Sequence, residues 1–60
     1  MNIQIGDIVD VTFVTGFLSS YRVEAVPGNN QIYWEFTPVD DPTQFTVVGP
    51  SMISIVVKQV

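Results

Sequence analysis

The chain predicts an all-β domain of five short strands, and three observations carry that prediction. Runs rich in Val, Ile, Thr, Tyr, Phe and Trp alternate with period two, as residues do on a half-buried pleated strand. Glycines at positions 6, 16, 28 and 49 each fall in a break between those runs, and Pro38 and Pro42 mark the remaining one. No stretch shows the 3.6-residue recurrence of an amphipathic helix. At 60 residues there is room for a single domain, spanning 1–60, with one small core. A domain of this size buries only about 60% of the surface its unfolded chain exposes, so its stability rests on efficient packing or on a partner.

Taken in order, Ile3-Gln4-Ile5 is a brief alternating lead-in and Gly6-Asp7 a turn. Ile8 to Val14 is the first full strand, with Val9, Val11 and Phe13 facing the core and Ile8 and Val14 on the outer face. Thr15-Gly16 lets the chain reverse. Leu18 to Val26 is the second strand, with Ser19, Tyr21, Val23 and Ala25 inward and Ser20, Arg22 and Glu24 outward. The following Pro27-Gly28-Asn29-Asn30 reads as a tight turn. Pro27 presets φ for the second turn position and Gly28 supplies positive φ after it. Alternation on both sides of this turn makes it the central hairpin. Its outgoing arm is Gln31 to Thr37, with Ile32, Trp34 and Phe36 inward. Pro38 and Pro42 bracket a loop carrying Asp40-Asp41, since neither proline donates a ladder hydrogen bond. Gln44 to Val48 is a short fourth strand with Phe45 and Val47 inward. Gly49-Pro50-Ser51 accommodates one helical turn, and Ser54 to Val57 is the last strand, with Ile53, Ile55 and Val57 inward.

The Ile-Gly-Asp-x-Val opening from Ile5 to Val9, the central hairpin and the one-turn break before the final strand resemble the SH3-like small β-barrel superfamily. The resemblance covers nearly the whole chain and implies a five-stranded barrel that binds other molecules. The signalling branch uses an Ala-Leu-Tyr-Asp-Tyr-like segment and a paired tryptophan, which this chain lacks, so no peptide-groove residue carries over. The basic loops of nucleic-acid-binding relatives are also missing. A partly open five-stranded barrel of another topology, such as an OB-fold, is the alternative architecture.

Composition narrows function more than any motif does. Only 13% of residues are charged and 47% are hydrophobic, leaving too little charge to cover a free monomer of this size. That balance favours a surface covered by copies of the chain or by a larger assembly. The net charge of −4, with Arg22 and Lys58 the only cations, argues against sequence-independent nucleic-acid binding. With no cysteine or histidine, disulfides, thiolate metal sites and a Ser-His-Asp triad are excluded. Neither a signal peptide nor a membrane span is legible, which points away from secretion by an own signal and from a membrane partner. A chain this small, acidic and cysteine-free is the kind of product that compact genomes such as those of bacteriophages encode. The expected location is the cytoplasm or a viral assembly.

Each candidate site has a structural reading beside it. Trp34, with Tyr33, Phe36 and Tyr21, offers an aromatic platform for a ligand or a nucleic-acid base. Its phase with Ile32 and Phe36 marks Trp34 as core instead. Asp40-Asp41 lacks the alternate oxygen spacing and the glycine of a calcium loop. Glu24 and Glu35 lie on adjacent strands, but so short a chain builds no substrate cleft around them, and Arg22 is expected to pair with one of them. No catalytic residue, cofactor or metal site is expected. The outer-face apolar residues Tyr33, Val56, Ile8, Leu18 and Val48 form the candidate interface, together with Val14 and Val26. The expectation is a non-enzymatic protein-binding or assembly module, with a ligand-binding barrel centred on Trp34 as the alternative.

Overall fold

The computed structural model describes residues 3–28 and 30–59. It is all-β, with five antiparallel strands in one open sheet and a single 3-10 turn before the last strand. The strands are β1 (Ile8–Phe13), β2 (Leu18–Ala25), β3 (Trp34–Pro38), β4 (Thr46–Val48) and β5 (Ile53–Lys58), with the 3-10 turn at Pro50–Met52. The sheet order is β4-β3-β2-β1-β5. The molecule extends 29 × 24 × 23 Å. A flat sheet is thin in its third dimension, so this one is strongly curved, with its apolar face turned inward.

That face carries the core: Val9 and Val11 from β1, Tyr21 and Val23 from β2, Phe36 from β3 and Val48 from β4. Ile3, Phe13, Val26, Trp34, Ile53 and Val56 pack around it. In β1, and in β2 as far as Val23, the alternation read from the sequence is the alternation observed, because Val9↔Tyr21 and Val11↔Ser19 place like faces together. Beyond that a bulge between Val23 and Ala25 sets Ala25, expected inward, opposite Glu35 on the outer side, while Val26, expected outward, packs on the core. The lead-in is tied to β2 by Gly6 N–H donating to Val23 C=O (2.8 Å) and Val23 N–H to Asp7 C=O (2.9 Å).

The later strands differ from the sequence reading in phase. Phe45 and Val47 are exposed, whereas Val48, expected on the outer face, is 1% exposed. The pairs Trp34↔Val48 and Phe36↔Thr46 decide this, since they seat Val48 and Thr46 on the core side with Trp34 and Phe36. A one-residue change in register moves every side chain of a strand to the opposite face. In β5, Ile55 and Val57 point outward while Ile53 and Val56 pack on the core. The register shift between Thr12 and Phe13 leaves Ser54 unpaired, and this extra residue inverts the parity of the strand after Ile53. Val56 therefore belongs to the packed side rather than to the candidate interface.

The central hairpin also closes differently. β2 ends at Ala25 and β3 begins at Trp34, so Gln31, Ile32 and Tyr33 belong to the connection and Ile32 is exposed. Gln31 stabilises this connection: its C=O accepts from Gly28 N–H (2.8 Å) and its side-chain amide donates to Tyr33 C=O (2.9 Å). Gly28 does not take positive φ; the glycines that do are Gly6 (95°) and Gly16 (93°). Asn29, placed in the tight turn by the sequence, lies outside the described residues.

Candidate functional site

The connection from β1 to β2 is short: Phe13 and Phe17 bracket Val14, Thr15 and Gly16. Gly16 N–H donates to Phe13 C=O (2.9 Å), and Phe13 N–H donates to Phe17 C=O (2.8 Å). The positive φ of Gly16 closes this three-residue reversal, a conformation glycine adopts without a side-chain clash. Closure this tight brings the Phe13 and Phe17 rings to 5.9 Å, tilted by 38°. Tyr21 meets Phe13 edge-on at 6.2 Å. It also stacks on Phe36 at 5.0 Å, and Phe36 stacks on Trp34 at 5.5 Å. Five aromatic side chains thus form one continuous ladder from the hairpin tip to the start of β3.

The 3-10 turn supplies the opposite wall. Pro50 fits its first position, where the missing N–H has no helical partner to lose. Met52 N–H donates to Gly49 C=O (3.0 Å), and Met52 C=O accepts from Val14 N–H (2.9 Å). This last bond joins the turn to the β1–β2 hairpin. Between them lies an open groove of about 510 Å³, lined by Phe13, Val14, Thr15, Phe17, Tyr21 and Met52. Tyr21 is buried at its base, while Phe17 and Met52 are 61% and 51% exposed at its rim. No charged side chain lines it. The volume lies within the range of about 300–1,000 Å³ typical of ligand sites. Its chemistry suits apolar and aromatic groups, since a flexible thioether and aromatic faces adapt to such occupants.

The charged groups lie elsewhere and are largely tied to one another. Arg22 Nη2 pairs with Glu24 Oε2 at 2.7 Å, and Lys58 Nζ with Asp7 Oδ2 at 3.5 Å. Glu24 also accepts from Thr37 Oγ1 (2.8 Å). That bond, followed by the bond from Arg22, holds its carboxyl below the ordinary glutamate range. Asp10 Oδ1 accepts from Ser20 Oγ (2.6 Å) and Gln59 Nε2 (2.7 Å), which lower its pKa in that order. Arg22 was expected to pair with Glu24 or Glu35, and Glu24 is its partner. Among the described residues no cluster of three metal-ligating side chains occurs, and Asp41 of the acidic loop accepts from Thr43 (2.7 Å).

The residues singled out from the sequence are not brought together. Tyr33 is exposed in the connection before β3, Leu18 is exposed at the start of β2, and Ile8 is half-buried. Val48 and Val56 face the core. Trp34 is half-buried and gives one ring face to Phe36. Phe17 and Met52 carry no weight in the sequence reading. The signal for Phe17 was the Phe13-x-x-x-Phe17 bracket around Thr15-Gly16, whereas Met52 joins the groove only through the fold. No protein-family model, curated protein or solved structure matches the chain significantly.

Proposed function

We propose that this chain is a small non-enzymatic protein-binding module whose groove between the β1–β2 hairpin and the 3-10 turn takes an apolar, cation-flanked segment of another protein. The strand order and the helical turn before the last strand are consistent with the SH3-like resemblance. The observation that carries the reading is the groove itself, an uncharged concavity with Phe17 and Met52 exposed at its rim. Exposed aromatic and methionine side chains around a concave apolar surface are characteristic of interface centres. The flanking charge follows from electrostatics. With a net charge of −4 and both cations held in ion pairs, the molecule presents a negative field that attracts a cationic segment and repels an acidic one.

Titration of the isotope-labelled protein with three synthetic peptides tests this. Each has the same Leu/Phe core, flanked by Lys, Ser or Glu. The Met52 methyl and Phe17 ring resonances should shift, with affinity in the order Lys, Ser, Glu and a preference that shrinks as salt is added. The variant Phe17→Asp/Met52→Asp should stay folded by circular dichroism and lose these shifts. Shifts that map away from the groove, unchanged binding by the variant, or no binding by any peptide would each overturn the proposal.

A further inference from the structure

We infer that the outer edge of β5 pairs with β5 of a second copy, antiparallel across a two-fold axis at Val56, joining two five-stranded sheets into one. Among the described residues both ends of the sheet order are open edges, but they differ in kind. β4 is only three residues long and runs into Gly49-Pro50, so it offers little to pair with. β5 is six residues long, Ile-Ser-Ile-Val-Val-Lys, without proline, glycine or a carboxylate. Long, apolar edge strands of this kind template pairing with another chain unless charge, proline or a covering segment blocks them. Ser54, Ile55, Val57 and Lys58 are all exposed.

The hydrogen-bond pattern states which groups are free for such pairing. Gln59 N–H donates to Ile8 C=O (2.9 Å), next to the pair Val9↔Lys58. Antiparallel ladders alternate, so Val57 and Ile55 direct their backbone groups to Asp10 and Thr12 in β1. The N–H and C=O of Val56 and Lys58 then point away from the sheet.

The register follows from charge and length. An axis at Lys58 would set two ammonium groups directly opposite each other, which is unfavourable. An axis at Ser54 would run the copy into the 3-10 turn. With the axis at Val56, Val56 pairs with its own copy and Ser54 with Lys58 of the other chain. Ile55 stands across from the copy's Val57 on the outer face, in the non-hydrogen-bonded arrangement that brings side chains closest. These two residues are 54% and 47% exposed in the single chain. The two Lys58 side chains are then four residues apart along the seam, about 13 Å at the strand rise. That exceeds the Debye length of about 8 Å at physiological ionic strength. A second copy suits this edge because the strand is complementary to itself, whereas the groove lies on residues outside β5 and does not take part.

Sedimentation equilibrium over micromolar to millimolar concentration tests the seam and its register. The natural chain should approach twice its monomer mass. Ile55→Lys/Val57→Lys sets like charges across both Ile55–Val57 contacts and should weaken association by about tenfold or more. Ile55→Lys/Val57→Glu sets opposite charges across the same contacts and should retain the dimer. A chemically synthesised chain with N-methyl-Val56 keeps the core-facing side chain, removes the outward donor and should be monomeric. Circular dichroism on each variant confirms the fold. A natural chain that stays monomeric, equal loss of association in both charge variants, or a dimer that persists with N-methyl-Val56 would overturn the inference. None of these results bears on peptide binding at the groove, so the two proposals fail independently.

Discussion

Gly16 and Gly28 both sit in turns, and at neither would an added Cβ meet another atom within 4 Å. They differ in backbone, since Gly16 has φ +93° while Gly28 is not in the positive-φ region. Alanine at Gly16 should cost about 1–2 kcal/mol, the penalty for a Cβ in left-handed backbone. Alanine at Gly28 should be neutral or slightly stabilising, because it narrows only the unfolded ensemble. Urea melts of the two variants measure the difference directly. Asp10 and Glu24 set the acid limb of stability. Both carboxyls have folded pKa values below their unfolded ones, so the unfolded chain binds protons first as pH falls. Their stabilisation is complete above the unfolded pKa values, about 4, and is lost as pH falls through the folded ones. Melting temperature should therefore decline below about pH 4, and Asp10→Asn/Glu24→Gln should flatten that decline.

At the scale of elements, the aromatic ladder makes Phe36 the keystone of β3. It is fully buried and stacks on Tyr21 and Trp34 at once. Phe36→Ala should cost about 3–5 kcal/mol and largely abolish folding in a domain of marginal stability. Trp34→Ala should be milder, because part of that side chain is already in water. Thermal unfolding followed by circular dichroism ranks the two, and Trp34 emission should lie between fully buried and fully solvated wavelengths. The Ser54 bulge sets the phase of β5, and it places Val56 against the core opposite Val11. Val56→Lys should therefore destabilise the fold itself, while Val57→Lys should leave the stability of the single chain, measured at a dilution where no dimer forms, within about 0.5 kcal/mol of the natural value.

For the whole molecule, the balance between apolar surface and charge is the governing quantity. Twelve large apolar side chains are exposed among the described residues, Phe17, Phe45, Ile55 and Val57 among them, in a chain of which only 13% is charged. The groove and the β5 edge each account for part of that surface. Pairing through β5 stabilises the folded state by mass action, so the melting temperature of the natural chain should rise with protein concentration. For Ile55→Lys/Val57→Lys that rise should be smaller at the same concentrations. Scanning calorimetry at two concentrations a hundredfold apart distinguishes the cases.

The sequence by itself determined the all-β class, the number and order of strands, the inward faces of β1 and of β2 as far as Val23, and the helical turn before β5. These follow from local alternation and turn chemistry, which short segments carry on their own. Tertiary structure decided the rest. Phe45 and Val47 satisfy alternation in one phase and Val48 in the other, and only pairing with Trp34 and Phe36 selects Val48. In β5 a single unpaired residue inverts inside and outside, and nothing in a row of Ile and Val marks where it falls. The groove is assembled from segments far apart in the chain, with Phe13 and Phe17 lining it together with Met52, which the β1–β5 pairing brings beside them. Period-two alternation reports which face a residue takes relative to its neighbours in the strand. Which of those faces meets the core, and which distant residues share a cavity, depends on register between strands, and register is a property of the folded pair.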